Sequence, residues 1–171
     1  MSWETRNIQT LLSRCETDEN FQLKSRNKVA VVCSTNSAAD NCVMAFRNTG
    51  TKRNIVRVGT APDNPEVRSN HWVGVLKLTK KDGKAAATAD EIAVREQEII
   101  MEADIIITTI STAGLSILRN VQFWAMIIDE AATVTKCETL RVIMKSVHVL
   151  VMIGDPKQLP PAIFTDYVKK N

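Results

Sequence analysis

Four short apolar runs rich in β-branched residues constrain the fold of this chain more than anything else in it. They are Val29-Ala30-Val31-Val32-Cys33, Ile105-Ile106-Ile107, Trp124-Ala125-Met126-Ile127-Ile128 and Val149-Leu150-Val151-Met152-Ile153. None alternates with polar residues, so each needs cover on both faces, as strands of a parallel sheet between two layers of helix have. The intervening segments supply those helices. Ala39, Cys42, Val43 and Phe46 recur at helical spacing and stop before Gly50, while Cys137, Leu140 and Met144 form a second stripe ahead of the last run. Glu91 to Ala103 sets Ile92, Ile99 and Ile100 on one side of a further amphipathic helix. Strand and helix alternate, so the fold class is α/β, with a mostly parallel sheet and flanking helices.

The chain has 171 residues, 44% of them hydrophobic. One core at that length buries about 70% of the unfolded surface without help from disulfides or a structural metal. Cys15, Cys33, Cys42 and Cys137 stand nine or more positions apart, with only His71 and His148 beside them, which gives no zinc-type ligand pairing. They are read as buried thiols. A net charge of +3 neither requires nor opposes a polyanionic partner. The polar start lacks the pattern of a secretory signal, and no apolar run approaches the roughly 18 residues of a membrane span, so a cytoplasmic or nuclear location away from membranes is expected. Organisation is that of one domain over 1–171. Residues 1–27 are a leading helix and loop, with Ile8, Leu11, Leu12 and Cys15 on one stripe, and 60–88, with Pro62, Pro65 and a Lys-rich stretch, is an insertion. Lys24, Arg26 and Lys28 are read as a solvated face.

Chemistry concentrates at two strand ends. The run closing at Ile128 leads straight into Asp129-Glu130-Ala131-Ala132. Ligands of parallel sheets bind at that edge, where one carboxylate can enter a magnesium shell and its neighbour can hold a water. Two solvated acids opening a helix are the bland alternative. The last run leads into Gly154-Asp155-Pro156-Lys157-Gln158-Leu159-Pro160-Pro161. A glycine and three prolines there make a stiff loop that presents Lys157 and Gln158 at the same edge.

Together these two stretches resemble the Walker B and third motifs of superfamily 1 helicases, in particular the RNA-surveillance and senataxin-like group. Val31-Val32-Cys33-Ser34-Thr35-Asn36-Ser37-Ala38-Ala39-Asp40 and Ala103-Asp104-Ile105-Ile106-Ile107-Thr108-Thr109, continuing through Ala113-Gly114, resemble further motifs of that group in the same order. The resemblance implies a partial RecA-like P-loop NTPase domain using ATP and Mg²⁺. By it, Asp129 holds the metal, Glu130 orients or deprotonates the attacking water, and Gln158 contacts the γ-phosphate. Gly154 and Asp155 belong to the same nucleotide edge, and Ser34, Thr35, Asn36 and Thr109 meet the backbone of single-stranded RNA or DNA. For these last residues plain helix capping is the competing reading.

The group's Gly-rich phosphate loop is absent, since the first glycine of the chain is Gly50. The second RecA-like domain that the resemblance implies is not matched by these residues. The resemblance therefore implies weak or no ATP binding by this chain alone, an unpaired apolar edge around Val149 to Ile153, and no turnover without a longer parent. The other function class left open is a non-catalytic nucleic-acid- or protein-binding remnant of a helicase. A third, an unrelated nucleotide-binding α/β protein, requires the loop from Gly154 to Pro161 to be coincidence.

Overall fold

The computed structural model describes residues 28–62, 64–71, 88–114, 116–143, 147–155 and 157. Five strands form one sheet in the order β2-β3-β1-β4-β5, every neighbouring pair parallel. They are β1 (Val29–Cys33), β2 (Ile55–Val58), β3 (Ile105–Thr109), β4 (Ala125–Ile128) and β5 (Val149–Met152). The helices between them are α1 (Asn36–Asn48), α2 (Pro65–Arg68), α3 (Ala89–Glu102), α4 (Ile110–Ala113) and α5 (Lys136–Ile143).

Because side chains alternate along a strand, each run feeds two cores. Val29, Val31 and Cys33 of β1 pack with Ala39, Cys42, Val43 and Phe46 of α1 and Val67 of α2 on one face. Ala30 and Val32 pack with Ile99 and Ile100 of α3, Ile110 and Ala113 of α4 and Val142 of α5 on the other. The α1 stripe expected from spacing is thus the buried one. That helix ends at Asn48, and Gly50 takes the left-handed backbone (φ 68°) that a helix exit favours.

Strand β2 was not among the four apolar runs. Arg57 interrupts it, and a charge in mid-strand hides the signal from a hydrophobicity reading. The guanidinium is nevertheless fully buried. It donates to Asp40 Oδ1 at 3.0 Å, to Asn36 Oδ1 at 2.9 Å and to the Val58 carbonyl, so α1 supplies the counter-charge that lets arginine stand in a core strand.

Two other expectations are corrected. Lys28 is not on a solvated face: it is buried, and its Nζ donates to the carbonyls of Met101 (2.6 Å) and Ala103 at the C-terminal end of α3, where a cation suits the exposed carbonyls. Cys137 is exposed rather than buried, and Leu140 is 58% exposed. The inward face of α5 is the one carrying Val142. Within the segment read as an insertion, Val67 lies in the first core and the Asn70 carbonyl accepts from Arg57 N–H at 2.7 Å. The stripe at 8–15, the solvated reading of Lys24 and Arg26, Met144, and 72–87 fall outside the described residues.

Among the described residues β5 pairs only with β4, and Val149, Leu150 and Met152 are 37%, 38% and 51% exposed. Among the described residues the apolar edge anticipated there is unpaired.

Candidate functional site

Register brings the motifs to one edge of the sheet. Cys33 stands beside Thr109, Val32 beside Ile128, and Ile128 beside Met152, so the residues following β1, β3, β4 and β5 emerge together. Hydrogen bonds extend the ladder past the strands. Asp129 N–H donates to Val32 O at 2.8 Å, Ile153 N–H to Ile128 O at 2.9 Å, and Ala131 N–H to Ile153 O at 2.7 Å.

Asp129 is buried at this edge, and one of its carboxylate oxygens accepts from Glu130 N–H at 3.1 Å. Glu130 then turns into the left-handed region (φ 54°), the only non-glycine among the described residues to do so. For a glutamate that conformation costs about 1–2 kcal/mol. The turn separates the two acids: Asp129 stays within the sheet edge while Glu130 reaches sideways, where the Ser34 hydroxyl donates to its Oε2. Gly154 lies against the same turn. A Cβ built on it would stand 2.7 Å from Ala132 N and 3.2 Å from Ala131 N, so no larger residue fits without moving backbone. Beyond it Asp155 Oδ1 accepts from Lys157 N–H at 2.9 Å. Gln158 lies outside the described residues.

The four residues expected to face nucleic acid divide. Ser34 is half-buried on Glu130, and Thr35 and Asn36 are exposed at the start of α1. Thr35 is also the N-cap of that helix, its Oγ1 accepting from Ala38 N–H at 3.1 Å, while Asn36 Oδ1 serves Arg57. Thr109 is buried and caps α4, its Oγ1 accepting from Thr112 N–H at 3.3 Å. The capping reading thus describes the hydroxyls of Thr35 and Thr109 as they stand.

Sequence reasoning missed a cluster next to the acids. Cys33 and Cys42 face each other with Sγ atoms 3.7 Å apart, and both lie beside Asp129. The bond to Cys42, then burial, then the charges of Cys42 and Asp129 push the Cys33 thiol well above its ordinary range, against a smaller pull downward from Arg57. Their spacing of nine positions matches no short cysteine motif, and only the fold-back of α1 onto β1 closes it.

A family model described as "AAA domain" matches residues 75–166, more than half of the chain. The "Probable helicase senataxin" of Homo sapiens is 31% identical over 125 residues, covering 67% of this chain and 4% of its own length. The chain belongs to the senataxin-like superfamily 1 helicase family. The "Probable helicase MAGATAMA 3" of Arabidopsis thaliana is 30% identical over 159 residues, 85% of this chain and 19% of its own. The "ATP-dependent helicase NAM7" of Saccharomyces cerevisiae is 28% identical over 159 residues, 81% and 16% respectively. The chain therefore spans less than a fifth of each of these relatives. The Hef helicase domain of Pyrococcus furiosus overlays 89% of this chain and 33% of its own at 14% identity and a TM-score of 0.33, too slight a likeness to add to the sheet topology.

The donor chemistry at the edge fits the family's magnesium nucleotide. Mg²⁺ is a hard cation that takes one or two carboxylate oxygens and completes its shell with phosphate and water, and Asp129 offers a carboxylate where β4 ends. No helix among the described residues is long and apolar enough to cross a membrane.

Proposed function

We propose that this chain is part of the ATPase domain of a nucleic-acid helicase, in which ATP hydrolysis is coupled to movement along single-stranded RNA or DNA. Asp129 holds the metal of the nucleotide, which supplies charge neutralisation of the phosphates when bound. Glu130 orients the attacking water and takes its proton, held sideways by its left-handed backbone and by the Ser34 hydroxyl. Gln158, with Gly154 and Asp155 leading to it, contacts the γ-phosphate. Ser34, Thr35, Asn36 and Thr109 form the strand-facing side, with Thr35 and Asn36 the exposed members. A nuclear or cytoplasmic setting goes with this reading.

One observation supports it above the others: the hydrogen bond from Ser34 to Glu130. It ties the turn assigned to nucleic acid to the acid assigned to water, so a shift at one is felt at the other.

The test uses Thr35→Asp. Aspartate is as good an N-cap as threonine, so the fold is kept while a negative charge is set against phosphate. Fluorescence anisotropy should show a single-stranded oligonucleotide bound by the parent chain, more weakly as salt rises. Thr35→Asp should bind it several-fold more weakly still. No strand binding at low salt, or ATP turnover that Glu130→Gln leaves intact, would sink the proposal. Strand binding indifferent both to MgATP and to Gln158→Ala would favour the non-catalytic remnant.

A further inference from the structure

We propose that Cys33, Cys42 and Asp129 form a binding site for a thiophilic divalent cation, zinc or cadmium. Three elements build it. Cys33 closes β1, Cys42 lies on the inward face of α1 that folds back over that strand, and Asp129 follows the adjacent β4. Their ligand atoms lie within 4.8 Å of one another, and all three residues are buried. The two sulfurs are 3.7 Å apart. Two thiolates on a tetrahedral zinc with Zn–S bonds of about 2.3 Å are separated by about 3.8 Å, so the pair already stands at a coordination edge. The carboxylate oxygen, within 4.8 Å of both sulfurs, would sit at about 3.5 Å from each to complete three protein donors, with water in the fourth position.

Two soft sulfurs choose the metal: they favour Zn²⁺ or Cd²⁺ over Mg²⁺ and Ca²⁺, which take oxygen. As each S–metal bond forms, that thiol releases its proton to solvent, and no electron is transferred. Two thiolates and a carboxylate leave the loaded site with one negative charge. The site needs no nucleotide, but it shares Asp129 with the metal assigned above, so the two cations compete for that carboxylate; Cys42→Ser, which leaves Asp129 in place, tests the thiol site by itself.

Cadmium titration of the full chain carrying Cys15→Ser and Cys137→Ser, under a phosphine reductant, tests it. Thiolate-to-cadmium charge-transfer absorption should saturate at one metal per chain. Adding Cys42→Ser or Asp129→Asn should each weaken binding about tenfold or more, with circular dichroism confirming the fold. X-ray absorption of the zinc-loaded parent chain needs no variant: two sulfurs at about 2.3 Å and oxygen at about 2.0 Å are expected. An oxygen- and nitrogen-only shell, more than two sulfurs, or binding untouched by Cys42→Ser or by Asp129→Asn overturns the proposal.

Discussion

Single side chains carry several of the constraints in this fold, and they make distinct predictions. Gly154 faces the backbone nitrogens of Ala131 and Ala132. Adding one methyl there should destabilise the chain by about 1–3 kcal/mol, read as a lower urea midpoint of Gly154→Ala. Arg57 is fully buried on Asp40, whose side chain is 20% exposed. Asp40→Ala leaves the guanidinium without its carboxylate and should cost about 3 kcal/mol in the same assay. Cys33 adds a pH dependence. Its folded thiol ionises at a higher pH than the unfolded one, so its contribution is intact below the unfolded value. As pH rises past that point the unfolded state loses its proton first, and stability falls by up to about 1.4 kcal/mol per pH unit. Cys33→Ala should flatten the alkaline limb of a plot of stability against pH. Neither Arg57 nor the two facing thiols could be picked from the chain by type or spacing, because their partners arrive from other elements.

At the scale of elements, legibility followed the sheet. Runs such as Val29–Cys33 and Ile105–Thr109 are apolar because they are covered on both faces, and that cause leaves a direct trace in composition. Strand β2 left none, since Arg57 occupies its third position and its counter-charge sits on α1. Helix α5 was legible as a helix but not in its orientation. The stripe of Cys137 and Leu140 turned outward, and Val142 filled the core alone among its described neighbours. Helix α1 was legible in both respects, and its start can be tested by its cap. Thr35→Ala removes the acceptor for Ala38 N–H and should cost about 1 kcal/mol in a thermal melt, whereas Thr35→Asp should cost almost nothing. That contrast separates the structural duty of Thr35 from the nucleic-acid duty proposed for it.

For the whole molecule, the sheet edge is the feature that solution experiments should notice first. Strand β5 offers an unpaired ladder side among the described residues, and its Val149, Leu150 and Met152 are exposed. Such an edge pairs with further chains unless it is charged or covered. Sedimentation velocity should show association that grows with concentration, and Leu150→Lys with Met152→Lys should reduce it; a monomer at every concentration would contradict this. The candidate site was legible to the extent that it lies on strand ends: parallel strands in register deliver Asp129, Glu130 and Gly154 to one rim, as their positions after apolar runs implied. The side-to-side links across that rim were not, because they depend on how turns close in space. One such link has a mechanical result. The carbonyl of Ile153 grips Ala131 while Gly154 leaves no slack beneath Ala132. The two turns are thereby hitched together: the backbone leading into the segment after Gly154 touches the peptides that directly follow Glu130.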